Sequence, residues 1–158
     1  MQDRPSAIEL LEAAAQFVDR EIVPNTEGAR QFQSRVVANV MRIVAREIEM
    51  GERLMREEVD ALAALLGHPK PHLHASEDVR REAMKLNEEL SAKIRAGEAD
   101  EGPFRARVFD LTRRIVEDKL KIANPRYLEA DLKLRQRAQP KRGATSDQKL
   151  ERRRGEHG

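Results

Sequence analysis

The sequence contains no cysteine and no tryptophan, and its aromatics are four Phe and Tyr127. Without cysteine there can be no disulfide, no thiolate nucleophile and no zinc–sulfur site. So few aromatics argue against a sheet, whose pleated surface is normally built from aromatic and β-branched residues. No apolar run approaches the ~18 residues of a membrane span. Met1 to Pro5 carries Asp3 and Arg4 but no apolar signal core. A cytoplasmic chain that does not enter the membrane is expected. Chemical signatures are missing as well: there is no G-x-S-x-G, no P-loop and no Glu-x-x-His pair of the di-iron bundles. No catalytic residue and no cofactor is expected.

What the chain does have is Ala, Leu, Glu and Arg, the residues helices prefer, with 37% of its residues charged. Its length suits one domain. The net charge of +2 hides an asymmetry. Residues 1–125 hold 20 Lys and Arg against 23 Asp and Glu, a net of −3, and residues 126–158 hold 10 against 5, a net of +5. The body is mildly acidic and the tail is basic.

Apolar spacing predicts an all-α fold, a single bundle of about five helices. Ile8, Leu11, Ala15, Val18 and Ile22 form the first stripe, stopped by Pro24. The second helix, from about Ala29 to Met50 and closed by Gly51, carries Phe32, Val36, Val37, Val40, Met41, Ile43, Val44 and Ile48. That arc covers about half the circumference at roughly 100° per residue, which predicts a central helix packed on two sides. Glu52 to Leu66 is the third, closed by Gly67. Ser76 is placed to cap the fourth, which carries Val79, Ala83, Leu86, Leu90 and Ile94 and ends near Arg95. The fifth follows Pro103, presents Phe104, Val108, Leu111, Ile115 and Leu120, and ends at Asn124-Pro125. The domain is drawn over residues 1–128, with a basic tail over 129–158. Leu132 and Leu134 offer a short helix, and residues 139–158 bury too little to offset ordering, so disorder is expected there.

The second helix holds the most informative polar residues. Projected at roughly 100° per residue, Glu47 falls inside the apolar arc, with Asn39 and Arg46 together on one edge. A carboxylate facing a core needs a partner. Either Glu47 is part of an internal polar lock, for which Arg126 and Tyr127 after the fifth helix are candidates, or it contacts a partner molecule. Arg35, Arg42 and Arg46 line one side, as a solvated face or as a contact for phosphate or an acidic partner. His68, His72 and His74 invite a metal reading, but Pro69 and Pro71 prevent a helix that would put two rings on one face, and no metal site is expected. The tail offers cations for nucleic acid but no aromatic beyond Tyr127 for stacking, so a nucleic-acid partner is not favoured.

Three stretches resemble a known family. They are Arg35-Val-Val-Ala-Asn39-Val-Met-Arg42-Ile-Val-Ala-Arg46-Glu47, Leu86-Asn87 through Ile94-Arg95-Ala96-Gly97, and Lys119-Leu120-Lys-Ile-Ala-Asn124-Pro125-Arg126-Tyr127-Leu128. With Arg4-Pro5, they look like a family of small bacterial proteins described as a domain of unknown function. Its members are typically encoded beside an aminoglycoside-phosphotransferase-like kinase and an acyl-CoA dehydrogenase. The likeness covers about residues 1–128. It implies a non-catalytic accessory subunit that supports a kinase acting on hydroxyacyl-CoA in hydroxy-acid catabolism. On this resemblance Asn39, Arg46, Glu47, Asn124, Pro125, Arg126 and Tyr127 are the matching positions. The residues themselves leave two alternatives open: a homodimer joined through the second-helix arc, or a nucleic-acid-associated protein using its tail.

Overall fold

Ser6 starts the first helix. Its hydroxyl accepts the Glu9 N–H at 3.3 Å while the Glu9 carboxylate accepts the Ser6 N–H at 2.7 Å, so two otherwise unpaired amides are satisfied reciprocally. The computed structural model describes residues 4–138, and the regular structure among them is entirely helical. Helix α1 (Ala7–Phe17) runs into a wider, π-helical turn, Val18–Ile22, in which the Val23 N–H reaches back five residues to the Val18 carbonyl at 2.9 Å. Pro24 follows, as the sequence predicts.

Helix α2 (Gly28–Arg46), a second π-helical turn (Glu47–Gly51) and helix α3 (Glu52–Leu66) form one unbroken helical stretch. The expected stop at Met50–Gly51 is therefore corrected. Gly51 has φ −60° and ψ −46°, ordinary right-handed helix geometry, and it is buried. What sets it apart is crowding: a Cβ there would lie 2.5 Å from a Glu47 carboxylate oxygen. Gly67 behaves differently. At φ 81° it takes the left-handed conformation that ends α3, and the His68 N–H returns to the Ala63 carbonyl at 2.9 Å.

Helix α4 spans Ser76–Arg95 and α5 spans Gly102–Ala123. The cap of α4 is Ala75, not Ser76. Two compact units result, one up to Pro125 and one from Arg126 on. The five helices of the first unit make the expected all-α bundle. Helix α6 spans Pro125–Ala138, and from Arg126 on it belongs to the second unit. Within α6, Asp131 pairs with Arg135 at 2.6 Å, one turn apart. The disorder expected over 139–158 lies outside the described residues.

The core belongs to three helices. Val59, Leu62 and Ala63 of α3 interlock with Val79, Ala83, Leu86 and Leu90 of α4 and with Val108 and Leu111 of α5. In α1 and α2 only Ala15, Ala38 and Ala45 are buried. These two helices meet through alanines, which allows a close approach but removes little apolar area from water. Among the described residues no helix is long and apolar enough to cross a membrane.

Candidate functional site

Of the five polar residues singled out from the sequence on α2 and the turn after it, Arg42 and Arg46 bond inside the molecule and Arg35, Asn39 and Glu47 stand exposed. Arg42 donates to the Asp19 carboxylate of the first helical stretch. Arg46 donates through Nε to the Ile122 carbonyl, at 2.7 Å, near the C-terminal end of α5. That carbonyl is one of the last four of its helix, which have no partner within it. Arg46 thus ties α2 to the end of α5. Arg35 and Asn39 are exposed.

Glu47 is exposed too, and no charged or polar residue is fully buried among those described. This overturns the core-facing placement of Glu47 and with it the need for a buried ion pair at the Arg126–Tyr127 corner. The projection puts Glu47 between Val36 and Val40, but those two residues are themselves exposed. Asn124 ends α5 with its N–H on the Leu120 carbonyl at 2.8 Å, and Pro125 opens α6. Arg126 and Tyr127 are exposed residues of the second unit.

The arc is the most extensive feature of this surface. Phe32, Val36, Val37, Val40, Val44 and Ile48 each expose between 41% and 69% of their area. The expected central helix packed on two sides is corrected accordingly: Ala38 and Ala45 are buried and Met41 and Ile43 half-buried, while the other large side chains of the arc stay exposed. The apolar pattern reports a face that gains by leaving water, not one that the described residues cover. Scattered exposed aliphatics are ordinary, but a contiguous row marks an interaction surface.

Beside the π-helical turn lies a groove of about 160 Å³ lined by residues of α3 and α5 together with Glu47 and Gly51. Its most enclosed carboxylate is Glu58, whose side chain is only 14% exposed. Asn87 donates to it at 3.1 Å from α4, Lys119 approaches at 3.9 Å from α5, and Asn87 also bonds the Ala83 carbonyl at 2.9 Å. Asp118, also lining the groove, pairs with Lys121 at 2.6 Å. This arrangement ties three helices together. Its lining residues include no hydroxyl, thiol or imidazole. Sequence reasoning passed over Glu58, although the signal was there: it lies midway between Leu54 and Leu62, four residues from each, on the face that α3 turns inward.

The three histidines do not form one cluster, although His72 and His74 border the same cleft. His68 Nε2 lies 2.8 Å from Glu89, and the rest of the linker is pinned by other groups. Arg56 donates to the carbonyls of Leu73 at 2.8 Å and His74 at 3.1 Å, and Lys70 pairs with Asp60 at 2.6 Å. A cleft of about 310 Å³ opens between this linker and α3, bordered by Val59, His72 and Val79. No group of three or more potential metal ligands occurs among the described residues. Glu52, at the head of α3, accepts from Arg56 at 2.8 Å and from the Ser76 hydroxyl, and these bonds hold its carboxyl below the usual glutamate range.

No curated protein and no protein of solved structure matches the chain. Residues 24–127, which run from Pro24 through the groove and the α5 corner to Tyr127, match the family described as "Domain of unknown function (DUF6285)". That match takes in α2 with its exposed arc, α3, α4 and α5, well over half of the sequence, and the chain therefore belongs to this family of domains of unknown function.

Proposed function

We propose that the chain is a cytoplasmic, non-catalytic accessory subunit that works by docking to other protein chains. The observation that carries this reading is the outward arrangement of α2. A helix that spends alanines on its intramolecular seam and turns Phe32, Val36, Val40, Val44 and Ile48 to solvent is built to be covered. Protein interfaces have an apolar centre with a polar rim, and here Arg35, Asn39 and Glu47 supply the rim. The polar groove at Glu58 supports the same reading, because its groups satisfy one another instead of being aimed at a reacting atom.

The resemblance of the Arg35–Glu47, Leu86–Gly97 and Lys119–Leu128 stretches adds a partner: an aminoglycoside-phosphotransferase-like kinase acting on hydroxyacyl-CoA. The chemistry then belongs to the kinase, and this subunit stabilises or positions it. Co-expression with a kinase encoded beside it tests this. The two chains are expected to co-elute at fixed stoichiometry, and the kinase alone to be less soluble or less active. A kinase that never co-elutes and is fully active alone would exclude the accessory role.

A further inference from the structure

The exposed row on α2 has an internal symmetry. Phe32, Val36, Val40 and Val44 of α2 recur every four residues and form an i±4 ridge, which Ile48 of the π-helical turn extends to about 24 Å at ~1.5 Å per residue. Val40 is its midpoint. Val36 and Val44 flank it equally, and the larger Phe32 and Ile48 stand at the two ends.

Charge along one flank of the ridge changes sign on passing Val40. Arg42 and Arg46 are occupied by Asp19 and by the Ile122 carbonyl. That leaves exposed Arg35 on the N-terminal side of Val40 and exposed Glu47 on the C-terminal side. Arg35 and Glu47 each immediately precede a ridge residue, so both lie on the same flank of the ridge.

We propose that this ridge docks a second copy of the chain, the two α2 helices crossing antiparallel with Val40 of each copy at the two-fold axis. Two i±4 ridges interlock when their helices cross at about −50°. The helices then approach most closely at Val40, where the side chain is short. They diverge toward Phe32 and Ile48, whose longer side chains span the widening gap. The antiparallel order brings Arg35 of each copy alongside Glu47 of the other, an isologous contact that closes on itself and does not propagate. A parallel two-fold pairing would put the two charged flanks on opposite sides of the seam and leave both without a partner across it. A second copy supplies the charge that complements each flank from the same two residues.

The inference rests on the reading of this face as a protein-docking surface and names its occupant; a kinase would then meet a dimer. Sedimentation velocity on the purified full chain, without any kinase, tests it directly. A reversible monomer–dimer equilibrium is expected. Val40→Asp should be monomeric with unchanged helical circular dichroism, since Val40 is exposed within one chain. Arg35→Glu and Glu47→Arg should each weaken the dimer about tenfold, and their combination should restore it. Because the chain has no cysteine, Val40→Cys introduces the only thiol, and mild oxidation should link two copies where Lys85→Cys, exposed on α4, gives none. A chain that sediments as a monomer at every concentration, a dimer that survives Val40→Asp, or equal cross-linking of the two cysteine variants would overturn the proposal. If the chain is monomeric and Val40→Asp loses the kinase, the ridge belongs to the kinase and the accessory reading stands alone. If it dimerises and no kinase binds, the dimer stands and the accessory reading falls.

Discussion

Replacing Arg46 with alanine removes the guanidinium that holds the Ile122 carbonyl at 2.7 Å. Hydrogen bonds to charged groups are worth about 1.5–3 kcal/mol, and this one also satisfies the end of a helix. Arg46→Ala should therefore destabilise by about 1.5 kcal/mol in urea unfolding, whereas Glu47→Ala, on an exposed residue, should stay within about 0.5 kcal/mol. Equal losses would mean that Glu47 carries internal load after all. From the sequence the two residues could not be ranked in this way. Helical projection gives an angle around an axis, and it placed both at the apolar arc, but it does not say which arc the rest of the chain covers. Glu58 shows the complementary case: its angle was legible from Leu54 and Leu62, while its partners Asn87 and Lys119 come from helices that only the tertiary fold brings near. Glu52 has a pH signature of its own. Its carboxyl titrates lower in the folded chain than in the unfolded one, chiefly because Arg56 donates to it and then because Ser76 does. Such a group adds stability above the ordinary glutamate range and loses it as the pH falls through the folded value. Glu52→Gln should melt slightly below the wild type at neutral pH, and the two should converge in acid. A gap that persists in acid would place the effect elsewhere.

Two glycines that looked alike as punctuation behave as opposites once the helices are built. Gly67, at φ 81°, needs the left-handed conformation, so Gly67→Ala should cost about 1 kcal/mol in thermal unfolding. Gly51 is right-handed and inside a helical stretch. The only obstacle to a Cβ there is the Glu47 carboxylate, the far end of a flexible and exposed side chain that can swing away. Gly51→Ala should then be neutral or stabilise by up to about 0.5–1 kcal/mol, because alanine is the better helix former. A large loss would show that Glu47 cannot move. The ends of α1, α3, α4 and α5 were readable because proline and left-handed glycine leave local signs. The run of α2 through Gly51 was not readable, because right-handed glycine followed by good helix formers carries no local stop, and a π-helical turn has no signature of composition.

At the scale of the molecule, stability is unevenly distributed. The large buried side chains Leu62, Leu86, Val59 and Val79 all belong to α3 and α4, and α1 with α2 contributes only alanines to the interior. Truncating Leu62 should cost about 2–5 kcal/mol. Amide exchange should be slowest in α3 and α4 and fastest along α1 and the N-terminal half of α2, since protection follows buried apolar contact. Raising the protein concentration should selectively slow exchange around Val40, and uniform protection across all five helices would contradict both the uneven core and the dimer. The unbroken passage from α2 to α3 has a further consequence. With no loop at Glu47–Gly51, the outward ridge and the inward stripe of Leu54, Val59 and Leu62 lie on one continuous rod. The azimuth between them is set by the residue count of a single turn. Each residue of an α-helix advances the face by about 100°, so losing one residue there would leave composition, charge and both apolar faces intact and aim the ridge about a quarter-turn away. In this chain a single step of helical phase separates the surface that folds the molecule from the surface that meets its neighbour.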